Sequence, residues 1–123
     1  MRVRLISPFD DAEEIWLGLD DPGHRRKVFR FVSPETGSAE FMAGITIFEP
    51  GEASSYHIHA ESEEINVVLA GSGLMSSEGE EAVFDTGAAM WVPRGVPHQH
   101  TNTGSEPLKL LWIYSPPAEL PST

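Results

Sequence analysis

Four residues of this chain could hold one metal ion between them. His57 and His59 stand two apart, and in a strand that spacing puts both rings on one face, with backbones about 6.7 Å apart at ~3.3 Å per residue. Imidazoles so placed can lean toward one ion, each nitrogen about 2.0–2.1 Å away if the ion is zinc. An isolated His-x-His pair is more often ordinary packing, so its surroundings decide. Glu64 lies five residues on, where a hairpin could turn its carboxylate back beside the pair; Glu61 and Glu63 are competing neighbours. His98 comes from a distant stretch, with His100 two residues later, and the fifth histidine, His24, stands apart. Three imidazoles and one carboxylate form a mixed nitrogen and oxygen set. It suits one divalent transition metal (zinc, manganese, iron, cobalt, nickel or copper), not a soft-thiolate site.

The elements that must position these side chains read as short strands. From Lys27 onward the apolar period is two: Val28-Phe29-Arg30-Phe31-Val32 is one candidate and residues 41–48 another, with Phe41, Ala43, Ile45 and Ile47 on one face. Further runs fall at 54–59, 64–70, 73–77, 82–85, 89–93, 97–102 and 108–115, punctuated by glycine-bearing turns. Many short strands at close spacing indicate an all-β sandwich or barrel. The first 26 residues differ. Residues 10–18 read as a short helix, with Asp10, Asp11, Glu13 and Glu14 at its start and Gly18 to stop it. The expected division is an N-terminal arm at 1–26, a barrel at 27–115 and a proline-rich tail at 116–123, loose or draped on a partner.

Composition narrows the partners. The 123 residues carry 8 Lys plus Arg against 19 Asp plus Glu, a formal net charge of −11. That balance argues against nucleic acid and against an anionic membrane surface. No apolar run is long enough to span a membrane, and the N-terminus lacks a signal-type stretch. The chain has no cysteine, which excludes disulfides and thiolate chemistry and fits a reducing cytoplasm. Half of the basic residues cluster at Arg25, Arg26, Lys27 and Arg30. They read as a solvated strand flank or, more sharply, as a contact for an acidic partner or substrate.

The residues also follow a known pattern. Gly51-x5-His57-x-His59-x4-Glu64-x6-Gly71 and Gly87-x5-Pro93-x-Gly95-x2-His98-x3-Asn102 match both motifs of the cupin superfamily at every fixed position, with 15 residues between them. The chain thus resembles the small single-domain cupins. That resemblance implies a jelly-roll β-sandwich or barrel with a metal in its mouth, held by His57, His59, Glu64 and His98. Glu64 is preferred over Glu63 because it alone leaves six residues to Gly71. Four protein ligands on an ion that takes six leave two exchangeable positions, as a catalytic site needs.

The resemblance implies a metal-dependent enzyme on a small organic substrate, of dioxygenase, isomerase or lyase type. His100, Tyr56 or a metal-bound hydroxide are the candidate proton acceptors. Gln99 and Asn66 could orient a ligand, while Arg94 should face solvent. Tyr56, Met75, Met90, Trp91 and Trp112 read as core, one or two of them lining an apolar pocket. The rival reading is a non-catalytic binding domain that uses the metal to hold a ligand. A structural, storage-type role is weakened by the complete ligand set. Residues 41–48 and 108–114 are apolar on both faces, which suggests a homodimer.

Overall fold

The structure, a computed structural model, describes residues 2–121. Met1 of the expected arm and the last two residues of the expected tail lie outside the described residues. The chain is all-β, as its period-two patterning requires. Nine strands follow in order: β1 (Glu13–Leu17), β2 (Arg26–Val32), β3 (Met42–Phe48), β4 (Glu63–Ala70), β5 (Gly73–Ser77), β6 (Glu80–Phe84), β7 (Ala89–Val92), β8 (Gln99–Thr101) and β9 (Leu108–Ser115). A six-stranded sheet runs β1-β2-β3-β9-β4-β7 and a three-stranded sheet runs β6-β5-β8. Every pairing is antiparallel.

The core lies between the two sheets. Phe48, Val68, Phe84, Leu108 and Leu110 form one buried cluster, with Met75 and Met90 packed on it. Val28, Met42, Trp112 and Tyr114 form the second, flanked by Ile15, Leu17, Ala118 and Leu120. Strand β9 supplies both clusters from one face through Leu108, Leu110, Trp112 and Tyr114, each apolar side chain contributing about 1.5–3 kcal/mol by its burial. Gly44 is required where β3 passes Trp112, since a Cβ there would stand 2.4 Å from the indole. The indole then donates to Thr46 Oγ1 at 2.9 Å.

Two expectations fail, for physical reasons. Residues 10–18 contain no helix: residues 8–12 turn, and Glu13–Leu17 is a strand antiparallel to β2. The acidic residues that read as a helix start instead face the basic run across the strands. Glu13 pairs with Arg30 at 2.6 Å and Glu14 with Lys27, while Lys27 and Arg25 lie over the Trp16 ring. Cross-strand pairs of this kind stabilise a sheet edge, and Ile15 and Leu17 turn to the core. The tail is also not loose over its described part. Pro116 O accepts from Ser62 Oγ at 2.6 Å, and Ala118 and Leu120 pack on the second cluster.

The apolar outer face of β3 is covered in part by the same chain. Ile45 faces Phe29 across the ladder, and Phe9 of the N-terminal arm packs edge-on against Phe29 at 5.0 Å. Among the described residues no helix is long and apolar enough to cross a membrane.

Candidate metal centre

The histidine-bearing segments run along the edge of the smaller sheet. Residues 54–59 do not form the continuous strand that their spacing suggests; they bridge to β8 and its approach at Ala53–Thr101 and His57–His98. Reciprocal backbone bonds between His57 and His98, at 2.9 and 3.0 Å, hold the two segments together. His57, His59 and His98 therefore meet in space, with ring centroids 4.3–5.6 Å apart. Glu64 arrives from the other sheet, on β4. Strand alternation decides between the neighbouring acids: Glu64 points inward, whereas Glu63 is exposed and accepts from the Trp91 indole at 3.1 Å.

One ligand atom from each of His57, His59, Glu64 and His98 lies within 4.8 Å of all the others. Glu64 Oε1 stands 3.0 Å from His59 Nε2 and 3.5 Å from His98 Nε2. These atoms are close but not aligned as hydrogen bonds, and all three are buried without a hydrogen-bond partner. Each such orphan costs about 1–3 kcal/mol. A cation at their centre would satisfy all of them at once, so the donor set fits a divalent transition ion.

The ring tautomers agree. His57 Nδ1 donates to Ser55 O at 2.8 Å and His98 Nδ1 donates to Val96 O at 3.1 Å. A carbonyl can only accept, so in the neutral rings each Nε2 keeps its lone pair for the cluster. On the carboxylate side, Asn66 Nδ2 donates to Glu64 Oε2 at 2.6 Å, and Tyr114 lies near enough for the Glu64 charge to act on its hydroxyl. Partners of this kind fix a ligand's direction and tune its basicity. Asn66 thus serves Glu64; the sequence suggested it as a ligand-orienting group.

Electrostatics follow from burial and from Glu64. Burial alone would raise the Glu64 carboxyl, but its contacts with His59 and His98 reverse this and hold it well below the usual range. Burial, with repulsion from His98, lowers His57 to about 4. His98 is lowered by burial, yet its close contact with and charge attraction for Glu64 win, leaving it raised. His100 is lowered to about 4, mainly by burial. Tyr114 is raised well above its ordinary value by burial and by the Glu64 charge.

A small cavity of about 30 Å³ adjoins the cluster, bounded by His57, Glu64 and His100 and walled by Val28, Leu110 and Trp112. That volume holds one or two waters. Leu17 of β1 and Leu120 and Pro121 of the tail also line it. On its other side His98 borders a second cavity of about 80 Å³, where Met75, Met90 and Trp91 provide the apolar lining.

Of the remaining residues singled out in the sequence, His100 is buried on the first cavity. Tyr56 is 52% exposed, and its hydroxyl accepts from the Glu78 backbone N–H at 2.8 Å. It does not line either cavity. Tyr56 and Trp91, at 52% and 68% exposure, are therefore not core residues, whereas Trp112 is. Gln99 ties down Ser54 O at 2.8 Å, Arg94 is exposed, and His24 pairs with Asp21 at 2.7 Å away from the site. Asn102 is a fold residue: its amide donates to Phe48 O and Glu106 O. Sequence reasoning missed Tyr114 and named Arg26 only as one of a basic run; both line the first cavity. Tyr114 was legible in the alternation of 108–115, and Arg26 in its phase with Val28.

The cupin domain family matches residues 44–114. This chain belongs to that family. It is 31% identical over 106 residues to Protein SchB of Streptomyces halstedii, covering 83% of this chain and 77% of SchB. It is 29% identical over 125 residues to Polyketide synthase CurC of Streptomyces cyaneus, covering 99% and 75%. A gentisate 1,2-dioxygenase of Ralstonia sp is 27% identical over 109 residues, covering 88% of this chain but only 28% of that protein. Among solved structures, the polyketide cyclase RemF from Streptomyces resistomycificus aligns with a TM-score of 0.76 at 20% identity, covering 94% of this chain and 83% of RemF. A predicted oxalate decarboxylase from Thermotoga maritima gives 0.78 at 18% identity, covering 90% and 98%. These two likenesses bear on the fold alone.

Proposed function

We propose that this cupin is a metal-dependent enzyme that moves a proton on a small carbonyl-bearing substrate, in an isomerisation, elimination or ring closure. One observation carries the reading. A three-histidine, one-carboxylate cluster with unpartnered Nε2 and Oε1 atoms shares a cavity with a further buried imidazole, His100. A divalent ion held by His57, His59, Glu64 and His98 would polarise a bound oxygen as a Lewis acid. His100 is neutral at pH 7 because burial lowers it to about 4, and its Nε2 has no protein partner. We assign it the role of proton acceptor over Tyr56, whose hydroxyl is engaged at the surface. The likeness to CurC supports a polyketide-type carbonyl substrate. Such a molecule exceeds the cavity, so residues 120–121 would have to move aside on binding.

Two other outcomes are open to the same experiment. Purified protein is expected to hold about one divalent ion per chain. The loaded protein is then assayed on polyketones, diketones, keto acids and gentisate-type phenols with oxygen uptake followed in parallel. Isomer or dehydrated product without oxygen uptake supports the proposal. Oxygen uptake favours the dioxygenase reading, to which the Ralstonia relative points. Saturable binding without product favours a ligand-holding domain. We further propose a cytoplasmic homodimer, supported by exposed apolar residues at Phe41, Ile65 and Trp91; a monomer by light scattering would refute the dimer.

A further inference from the structure

The cavity beside the histidine cluster has two sides. His57, Glu64 and His100 make one of them polar. Leu17, Val28, Trp112 and Leu120 line the other, and all four belong to one packed apolar cluster. Three of these side chains come from strands: Leu17 from β1, Val28 from β2 and Trp112 from β9. Leu120 does not. It belongs to the segment 117–121 that follows β9, and it is half-buried there.

Few bonds hold that segment. Pro116, Pro117 and Pro121 have no N–H to donate, and among the described residues no backbone hydrogen bond ties 117–121 to the barrel. Its attachments are the Ser62 bond to Pro116 O at 2.6 Å and the packing of Ala118 and Leu120. Between those two residues Glu119 is exposed. A stretch held by a few apolar contacts and no ladder opens more readily than the strands it rests on. The free volume of about 30 Å³ holds one or two waters, less than an organic substrate needs. Lifting Leu120 from the wall would join its volume to the cavity and leave Leu17, Val28 and Trp112 facing the polar side.

We infer that residues 117–121 form an intramolecular plug, in which Leu120 fills the subsite for a branched apolar group of the substrate. A ligand with a carbonyl toward the histidine cluster and an isobutyl-sized group behind it binds by displacing Leu120. The subsite presupposes the metal centre proposed above. It adds the shape of the substrate's apolar end and a competitor for that place built into the chain.

Methyl isobutyl ketone carries both groups and serves as the probe, titrated calorimetrically into metal-loaded wild type, Leu120→Ser and Leu120→Met. A ligand's apparent affinity falls with the fraction of protein in the open form. Leu120→Ser weakens the plug, so it should bind the ketone about 10-fold more tightly than wild type. Leu120→Met keeps an apolar group of similar volume and should match wild type. Weaker binding by Leu120→Ser would make Leu120 part of the ligand's wall and overturn the inference, as would equal binding or no saturable binding. Wild type carries a second test if the serine variant does not fold. Glutamyl endopeptidase should cut the Glu119–Leu120 bond faster as ketone is added, read by mass spectrometry; an unchanged or slower cut would overturn the plug. Metal content on the same samples separates the two readings. A wild type that loads no ion fails the metal centre, whereas loaded protein with the contrary response fails the plug.

Discussion

The two ends of strand β9 show two different uses of burial. At Leu108 and Leu110 the side chains join Phe48, Val68 and Phe84, and the environment is wholly apolar. At Tyr114 the same strand face meets His59 at a ring distance of 4.3 Å and feels the Glu64 charge. There the buried atoms are polar, and three in the cluster lack hydrogen-bond partners. One end lowers the free energy of folding. The other stores unsatisfied valence that a cation can use. Residues in the two regions should therefore separate cleanly when mutated: the core should govern stability, and the cluster metal affinity.

The largest expected effect is at the cluster. Glu64→Gln removes the only carboxylate ligand, and metal retained after dialysis should fall by roughly 100-fold or more, with far-UV circular dichroism unchanged. Loss of the β-sheet signal would mean that the ion is structural. Leu110→Ala should do the reverse. It should cost about 2–5 kcal/mol in denaturant unfolding while the folded fraction still binds metal.

An acid titration of metal-free protein sharpens the contrast. His100 and His57 are held near 4 by burial, against an unfolded value of about 6.5. Between those values the unfolded chain binds more protons, so stability is full above about pH 6.5 and is lost as pH falls toward 4. For His100 the loss should approach about 3 kcal/mol. His98 runs the other way, since its raised value favours the folded state below about 6.5. The net decline should shrink in His100→Gln. An unaltered pH profile in that variant would show that His100 is not buried as described.

Smaller effects test the supporting groups. Asn66→Ala frees Glu64 Oε2 and should weaken metal binding by about 10-fold, read by competition with a chromogenic chelator. Glu13→Ala breaks only an exposed pair with Arg30 and should cost under about 1 kcal/mol. A larger loss would show that the β1–β2 edge matters more to the barrel than its exposure suggests.

Much of this was legible in the residues because strand geometry has a short period. The spacing of His57, His59, Glu64 and His98 carried the cluster, and alternation alone separates Glu64 from Glu63. The β1 segment misled because an acidic start and Gly18 suit a helix N-terminus and a strand turn equally. Its partner residues at Arg26–Arg30 decide between them, and they act only once the sheet has formed. Arg26 was hidden in a basic run whose other members are surface groups. The place of Leu120 and Pro121 on the cavity wall depends on where the chain returns, which local pattern does not encode.

Metal stoichiometry is the most direct measurement of the central claim. Protein purified without chelator and reconstituted at neutral pH should carry about one divalent ion per chain by elemental analysis, and His98→Ala should carry almost none while melting as a folded protein. A wild type that takes up no ion under those conditions, or a His98→Ala variant that retains the full complement, would contradict it.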